Sequence, residues 1–247
     1  MTEVQIEIAR KTVPGAKGRG PHLVIADLRI GMARGEFACL VGPSGCGKST
    51  LLNIVAGLDR DFQGRVDFGV GANRPRIGYV FQNPRLLPWR TVRENVDLAM
   101  PSDLRDKQLV DHLLAVMGLT GVQHQYPERL SLGMSRRVAI IRAFAIQPTL
   151  LLMDEPFVSL DAPTARRVRQ LLIKVWEERA HTVLFVTHDL REAIVLADRL
   201  LFLSESPMRV IAEIRVDIPR RQRDQEPVID SFRRTLIDGF PPLRGLL

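Results

Sequence analysis

The sequence predicts an α/β fold: a mainly parallel sheet covered by helices on both faces, with an antiparallel sheet at its edge and a helical insertion. Three observations predict it. First, Gly42-Pro43-Ser44-Gly45-Cys46-Gly47-Lys48-Ser49-Thr50 lies between the apolar run Phe37 to Val41 and a helical pattern. A GxxxxGK[ST] run in that context curls the backbone so that its N–H groups point inward and cradle phosphate. Second, short apolar strands at Leu150 to Met153, Val183 to Val186 and Arg199 to Leu203 alternate with helical stretches at Ala162 to Arg179 and Leu190 to Leu196, the signature of a parallel sheet. Third, four of the predicted strands run straight into polar groups: Phe37 to Val41 into the loop, Ile77 to Phe81 into Gln82, Leu150 to Met153 into Asp154 and Glu155, and Val183 to Val186 into Thr187 and His188. Ligands of open parallel sheets bind beyond those carboxyl ends.

The remaining elements follow in order. Val4 to Ile8 and Leu23 to Ile30 read as edge-sheet strands joined by the polar, glycine-containing segment Pro14 to Pro21. The helix entered at Lys48 runs to about Ala56 and stops at Gly57. A short strand is expected at Arg65 to Phe68, and a proline-rich loop at Asn83 to Arg90. From Val92 to Ile146 the pattern is helical throughout, a candidate subdomain of about 86–147 inserted into a domain of 1–219. In the tail, 220–247, Val228, Phe232 and Leu236 share a face at helical spacing, so a short amphipathic helix is expected to pack on the core or pair with a second copy.

Composition sets bounds on function. With 247 residues and 45% hydrophobic content, one substantial core is expected and little room is left for a second domain. No apolar run reaches membrane-spanning length and the N-terminal segment has no signal-peptide core, so a cytosolic protein is expected. Two cysteines, Cys39 and Cys46, make no disulfide framework. The formal charge of +7 invites a nucleic-acid reading. Yet the arginines at Arg136, Arg137, Arg166, Arg167, Arg220, Arg221, Arg233 and Arg234 are scattered, with few aromatics between them. A solvated basic face is expected, not a stacking platform for bases.

The strand-end residues suit phosphate chemistry. Lys48 would place a point charge on the β- and γ-phosphates, with the Ser49 hydroxyl as a magnesium ligand. Asp154 would hold magnesium directly or through water, and Glu155 would act as the general base toward the attacking water. Gln82 would reach the magnesium shell or that water, and His188 would hydrogen-bond the γ-phosphate. His22, His112, His124 and His181 read as structural. Downstream of Leu130, Ser131 opens a helix whose free N–H groups and dipole favour an anion, although an ordinary N-cap reads the same way.

These segments together resemble the ATP-binding subunit of an ABC transporter, over about Val4 to Pro219. Gly42 to Thr50 resembles Walker A, Leu150 to Glu155 Walker B with its catalytic glutamate, Gln82 the Q-loop, Ser159-Leu160-Asp161 the D-loop and His188 the H-loop. Leu130-Ser131-Leu132-Gly133-Met134 stands in the place of the LSGGQ signature. The resemblance implies a P-loop NTPase with a RecA-like core, ATP and Mg2+ as cofactors, and a head-to-tail homodimer. In that dimer, ATP held by one copy's Walker A loop is capped by Ser131 and Gly133 of the other, while Asp161, like Asp154 and Glu155, serves the nucleotide bound by its own chain. The stretch from Phe81 to Val92 is similar to importers of the nitrate, sulfonate and taurine group. That likeness implies two transmembrane permease subunits, an extracytoplasmic solute-binding protein acting indirectly, a place on the cytoplasmic face of the inner membrane, and no nucleic-acid partner. Other readings are an exporter or lipid-transport ATPase, or a soluble ABC protein acting on nucleic acid.

The sequence departs from the family pattern in two places. Leu132 and Met134 replace the signature's first glycine and its glutamine; the leucine is expected to point away while its N–H still serves. Where an aromatic residue stacks on adenine, this chain has Arg10-Lys11-Thr12-Val13, so Lys11 or Val13 is expected to contact the base and ATP and GTP to be used comparably. Leu86, Leu87 and Trp89 are expected to line a groove for a permease helix.

Overall fold

The computed structural model describes residues 2–15, 20–69, 75–179 and 181–240. Residues 16–19 of the predicted connector and 241–247 of the tail therefore lie outside the described residues. The chain divides into two compact units, Met1–Asn73 with Thr182–Leu247, and Arg74–His181.

In the first unit, β1 (Thr2–Val13) and β2 (His22–Ala33) pair antiparallel, and β4 (Gln63–Asp67) pairs with the other edge of β1. Alternation decides which side is buried: Val4, Ile6 and Ile8 of β1 and Leu28, Ile30 and Met32 of β2 are buried, while Arg65 and Glu7 form an ion pair across β4 and β1. The strand expected at Arg65 to Phe68 thus begins two residues earlier, because its pairing with β1 extends to Gln63. Gly64 sits there at φ 141°, and a Cβ on it would come within 2.1 Å of the Glu7 carbonyl oxygen.

The same unit holds β3 (Phe37–Val41) between two parallel neighbours, β7 (Thr182–Thr187) and β8 (Arg199–Leu203). β3 and β7 are buried along their whole length, as expected of parallel strands covered on both faces. The rings of Phe37 and Phe185 meet edge to face at 6.1 Å, and a fully buried side chain of this size contributes about 1.5–3 kcal/mol. β9 (Val210–Arg215), which no sequence pattern announced, pairs antiparallel with β8. Every other residue of β9 is exposed, Ile211 among them, so its apolar residues fall on both faces and no clean alternation marks the strand.

Helices α1 (Lys48–Val55), α6 (Leu190–Leu196) and α7 (Glu226–Gly239) complete this unit. Two of the residues predicted to share the buried face of the tail helix are only half-buried; Ile229 and Leu236 are the buried pair. Helix α7 lies on α6, where Arg191 bonds the Glu226 carboxylate and, at 2.8 Å, Asp230. The buried Arg223 donates to the carbonyls of Ile218, Ala197 and Val216, at 2.7, 2.5 and 3.0 Å. Burial, with Arg220 nearby, holds its pKa down to about 10 against the opposing pull of Asp198.

The second unit holds the parallel pair β5 (Ile77–Val80) and β6 (Leu150–Asp154) with α2 (Val92–Asp97), α3 (Lys107–Val116), α4 (Leu132–Ala145) and α5 (Ala162–Glu178). The stretch from Val92 to Ile146 is not helical throughout. Three short 3-10 turns, Ser102–Leu104, Thr120–Val122 and Pro127–Arg129, separate its α-helices. The breaks fall where Pro101, Gly118 and Pro127 stop continuation. His181 is buried with its ring 5.6 Å from that of Phe144, consistent with a structural role, and burial pushes its pKa below 6.5.

Candidate functional site

In the first unit, β3 delivers Val41 into Gly42, and the loop that follows uses glycine where other residues would not fit. Gly47 has φ 115° and a Cβ there would lie 2.6 Å from Val24 Cγ1; Gly45 has φ 80°. Helix α1 then starts at Lys48 with no side chain capping it, so its first N–H groups face the loop. Lys48 is 5% exposed and its Nζ donates to the carbonyls of Gly42 and Pro43, both at 2.8 Å. The ammonium is thereby folded over the loop. Ser44, Gly45 and Ser49 are exposed, Pro43 and Thr50 half-buried, and Cys46 is buried.

His188 emerges at the same end of the neighbouring strand, since Val41 of β3 pairs with Thr187 of β7. Its side chain is exposed on a braced turn. Thr187 Oγ1 donates to the buried Glu192 carboxylate at 2.9 Å and accepts the Asp189 N–H at 3.0 Å. Asp189 caps α6 by accepting from the N–H groups of Arg191 and Glu192. Glu192 escaped the sequence reading; the available signal is a carboxylate at a buried position of a short apolar helix.

In the second unit the parallel register pairs Val80 with Met153, so Gln82 and the Asp154-Glu155 pair leave the same end of β5 and β6. Asp154 ends β6 and is 6% exposed; Gln82 is exposed. Burial, reinforced by the Asp154 charge, pushes the Tyr79 phenol well above its ordinary range. Glu155 is half-buried in the left-handed region at φ 42°, as is Ser159 at φ 63°, positions few non-glycine residues adopt. This unusual backbone turns the chain sharply at the strand end.

The segment Leu130 to Gly133 and the turn at Asp161 come together within this unit. Ser131 caps α4, its Oγ accepting the Met134 N–H at 3.2 Å, and Asp161 caps α5 by accepting the Thr164 N–H at 3.0 Å. The bonds from Thr164 hold the Asp161 carboxyl below the usual range. Gly133 is buried, and a Cβ on it would lie 2.8 Å from Thr164 Cγ2. The missing side chain is what lets the two helix starts touch. Leu132 is 44% exposed.

The sequence profile of the ABC transporter family matches residues 25–158. The chain is 45% identical, over 91% of its length and 84% of the relative's, to the aliphatic sulfonates import ATP-binding protein SsuB 2 of Burkholderia lata. This chain belongs to the ABC transporter family. It is also similar to the nitrate import ATP-binding protein NrtD of Synechococcus elongatus, at 43% identity over 87% of this chain and 82% of that one. Among solved structures it resembles the ATP-binding cassette MJ0796, a dimer in a post-hydrolysis state bound to ADP and Pi. That match has a TM-score of 0.73 and 31% identity, and covers 87% of this chain and all of that one.

As an ABC ATPase the chain has the α/β P-loop fold expected of it, with parallel strands and an antiparallel edge sheet. Two expectations need correcting. Lys11 is no contact for a base: it is 4% exposed, and its Nζ is bound by Asp59 at 2.9 Å and by the Asp61 carbonyl at 2.6 Å. Arg136 does not belong to a solvated basic face, for it is 5% exposed. Asn95, which no motif marked, is buried and staples the loop before α2: Leu87 N–H donates to its Oδ1, and its Nδ2 donates to the carbonyls of Leu87, Arg90 and Thr91. Trp89, on that loop, is 68% exposed, with Leu86 and Leu87 half-buried.

Proposed function

We propose that this ABC ATPase is the energy-supplying subunit of a bacterial importer for a small anion of the sulfonate or nitrate type. The observation that carries the nucleotide half of this reading is the buried Lys48 ammonium folded over a glycine loop at a helix start. Relatives named as import ATP-binding proteins support the transport half. Gly42 to Thr50 bind the phosphates through backbone N–H groups, Lys48 and the Ser49 hydroxyl. Glu155 takes a proton from the attacking water, Gln82 orients that water, and His188 donates to the γ-phosphate. Ser131 and Gly133 act across a head-to-tail homodimer, where the α4 N-terminus meets the partner's nucleotide, while Asp161 serves the chain's own nucleotide.

Taken singly, the residues expected to hold magnesium have donors that suit it: Ser49 offers an exposed hydroxyl, Asp154 a carboxylate at a strand end and Gln82 an exposed amide. A cation of this kind takes few protein ligands and completes its shell with phosphate and water, neutralising phosphate charge when bound. We assign 1–219 to one ATPase domain with a helical subdomain of about 86–147, and 220–247 to a tail. Among the described residues no helix is long and apolar enough to cross a membrane. The chain works at the cytoplasmic face of the inner membrane beneath two permease subunits, with Trp89 on its Asn95-stapled loop as the apolar contact. An extracytoplasmic binding protein delivers the solute to those permeases, and no nucleic acid takes part.

In a strain lacking this chain, uptake of labelled methanesulfonate or of nitrate should fall to background and return with the wild-type gene. Uptake of both that is independent of the chain would sink the importer reading. Base selectivity gives a second check. Stacking a base on an aromatic side chain is worth about 1–3 kcal/mol, and only the half-buried Val13 stands in its place here. The loss of stacking weakens both nucleotides alike, and an aliphatic contact reads neither purine's edge, so GTP turnover should come within about fivefold of ATP turnover; a strong preference for ATP in a competitive assay would contradict it.

A further inference from the structure

Arg136 lies on the buried side of α4, at helical spacing from Ala139, Ile140 and Ala143. Its Nη1 donates to the carbonyl of Gln82 at 2.6 Å and, more weakly, to that of Glu155 at 3.4 Å; its Nη2 donates to the carbonyl of Val158 at 2.8 Å. One guanidinium thus spans the segment after β5 and both ends of the turn after β6. Arg142, farther along the same helix, donates to the carbonyls of Pro84 and Arg85 at 2.7 and 2.9 Å. The Gln82 to Arg85 segment is held at three points by one helix.

This arrangement does more than satisfy a buried charge. The Glu155 carbonyl and Cβ are joined through one Cα, so restraining the carbonyl restrains ψ, and with φ already at 42° this fixes the direction of the Cα–Cβ bond. A planar fork with donors in fixed directions restrains such torsions better than a flexible ammonium does. We infer that Arg136 is a positioning residue for ATP hydrolysis: from the helix that begins at Ser131, it fixes the Glu155 turn and the backbone of Gln82. It rests on the proposed roles of Glu155 and Gln82. The helix offered to the partner's nucleotide is thereby tied to the base serving the chain's own nucleotide.

The test compares Arg136→Met and Arg136→Lys, alone and combined with Glu155→Gln, by ATP turnover, ATP affinity and thermal unfolding. Arg136→Met should lower kcat by at least about tenfold, with KM for ATP within about twofold of wild type. Arg136→Lys should recover part of that loss. In the Glu155→Gln background, Arg136→Met should cause no further loss, because the group it positions is already disabled. A full additional loss there, scaling with lost thermal stability, makes Arg136 merely structural and overturns the inference. If Arg136→Met does not fold, the lysine variant carries the same comparison, with equal fractional losses in both backgrounds again overturning it. Wild-type turnover by Glu155→Gln removes the base assignment beneath the inference. A dead Glu155→Gln beside a fully active Arg136→Met removes the arginine's role alone.

Discussion

Replacing Glu155 with glutamine is expected to lower ATP turnover by about 10²–10⁴-fold, the usual contribution of a positioned general base, while ATP still binds. The amide has nearly the size and shape of the carboxylate, so the half-buried turn at φ 42° is kept. What is lost is the capacity to accept a proton from the attacking water. Binding is spared because Lys48 and the glycine loop lie on different elements. If hydrolysis reopens the proposed homodimer, the variant should accumulate as an ATP-bound dimer. Size-exclusion chromatography with ATP and magnesium, against ADP as control, reads this directly. Wild-type turnover would show that Glu155 is not the base.

Replacing Lys48 with alanine should weaken ATP binding by about 100-fold, or about 2.7 kcal/mol, within the range for truncating one member of a buried charge pair. The Lys48 ammonium is buried and held in place by the Gly42 and Pro43 carbonyls. Little side-chain freedom is left to lose when a phosphate arrives, which raises the net value of the contact. Adenosine, lacking phosphate, should bind both proteins equally. Titration calorimetry with ATP and adenosine separates this from a general loss of the fold: parallel weakening of both ligands would mean that the loop has collapsed. Arginine at this position should not restore affinity, since its planar fork cannot occupy the pocket of a compact point charge.

The parts of the candidate site carried by backbone geometry were legible in the sequence. Gly45 and Gly47 mark left-handed positions, and such requirements are met by one residue type almost regardless of what surrounds them. Ser131 sits where a helix begins and does act as a cap, because a cap needs only the next turn of its own helix; Asp161 and Asp189 cap α5 and α6 in the same way. Gln82, Asp154, Glu155 and His188 could be placed at strand ends because apolar runs reveal where buried strands stop.

Charged and amide side chains in the interior were not legible. Lys11, Asn95, Arg136 and Glu192 look like surface residues when read along the chain, and all four are buried. For Asn95 the partners lie within eight residues, yet the loop conformation that presents them is itself irregular. For Lys11 and Arg136 the acceptors are distant, 48 residues away at Asp59 and 54 at Gln82. The unpaired charge would be too costly to bury and the paired one is acceptable, so burial was decided by groups that the local pattern cannot contain.

By itself, then, the sequence determined the glycine loop, the order of strands and helices apart from β9 and the breaks in the helical insertion, and the polar residues at strand ends, all of which depend on local conformation and apolar periodicity. Only the tertiary structure decided that α4 grips the Glu155 turn through Arg136, that Gly133 lets α4 and α5 start in contact, and that Lys11 is tied to Asp59. The physical reason is the same in each case. A hydrogen bond or a close approach between distant segments exists only once both backbones are fixed, and its two halves carry no shared mark along the chain.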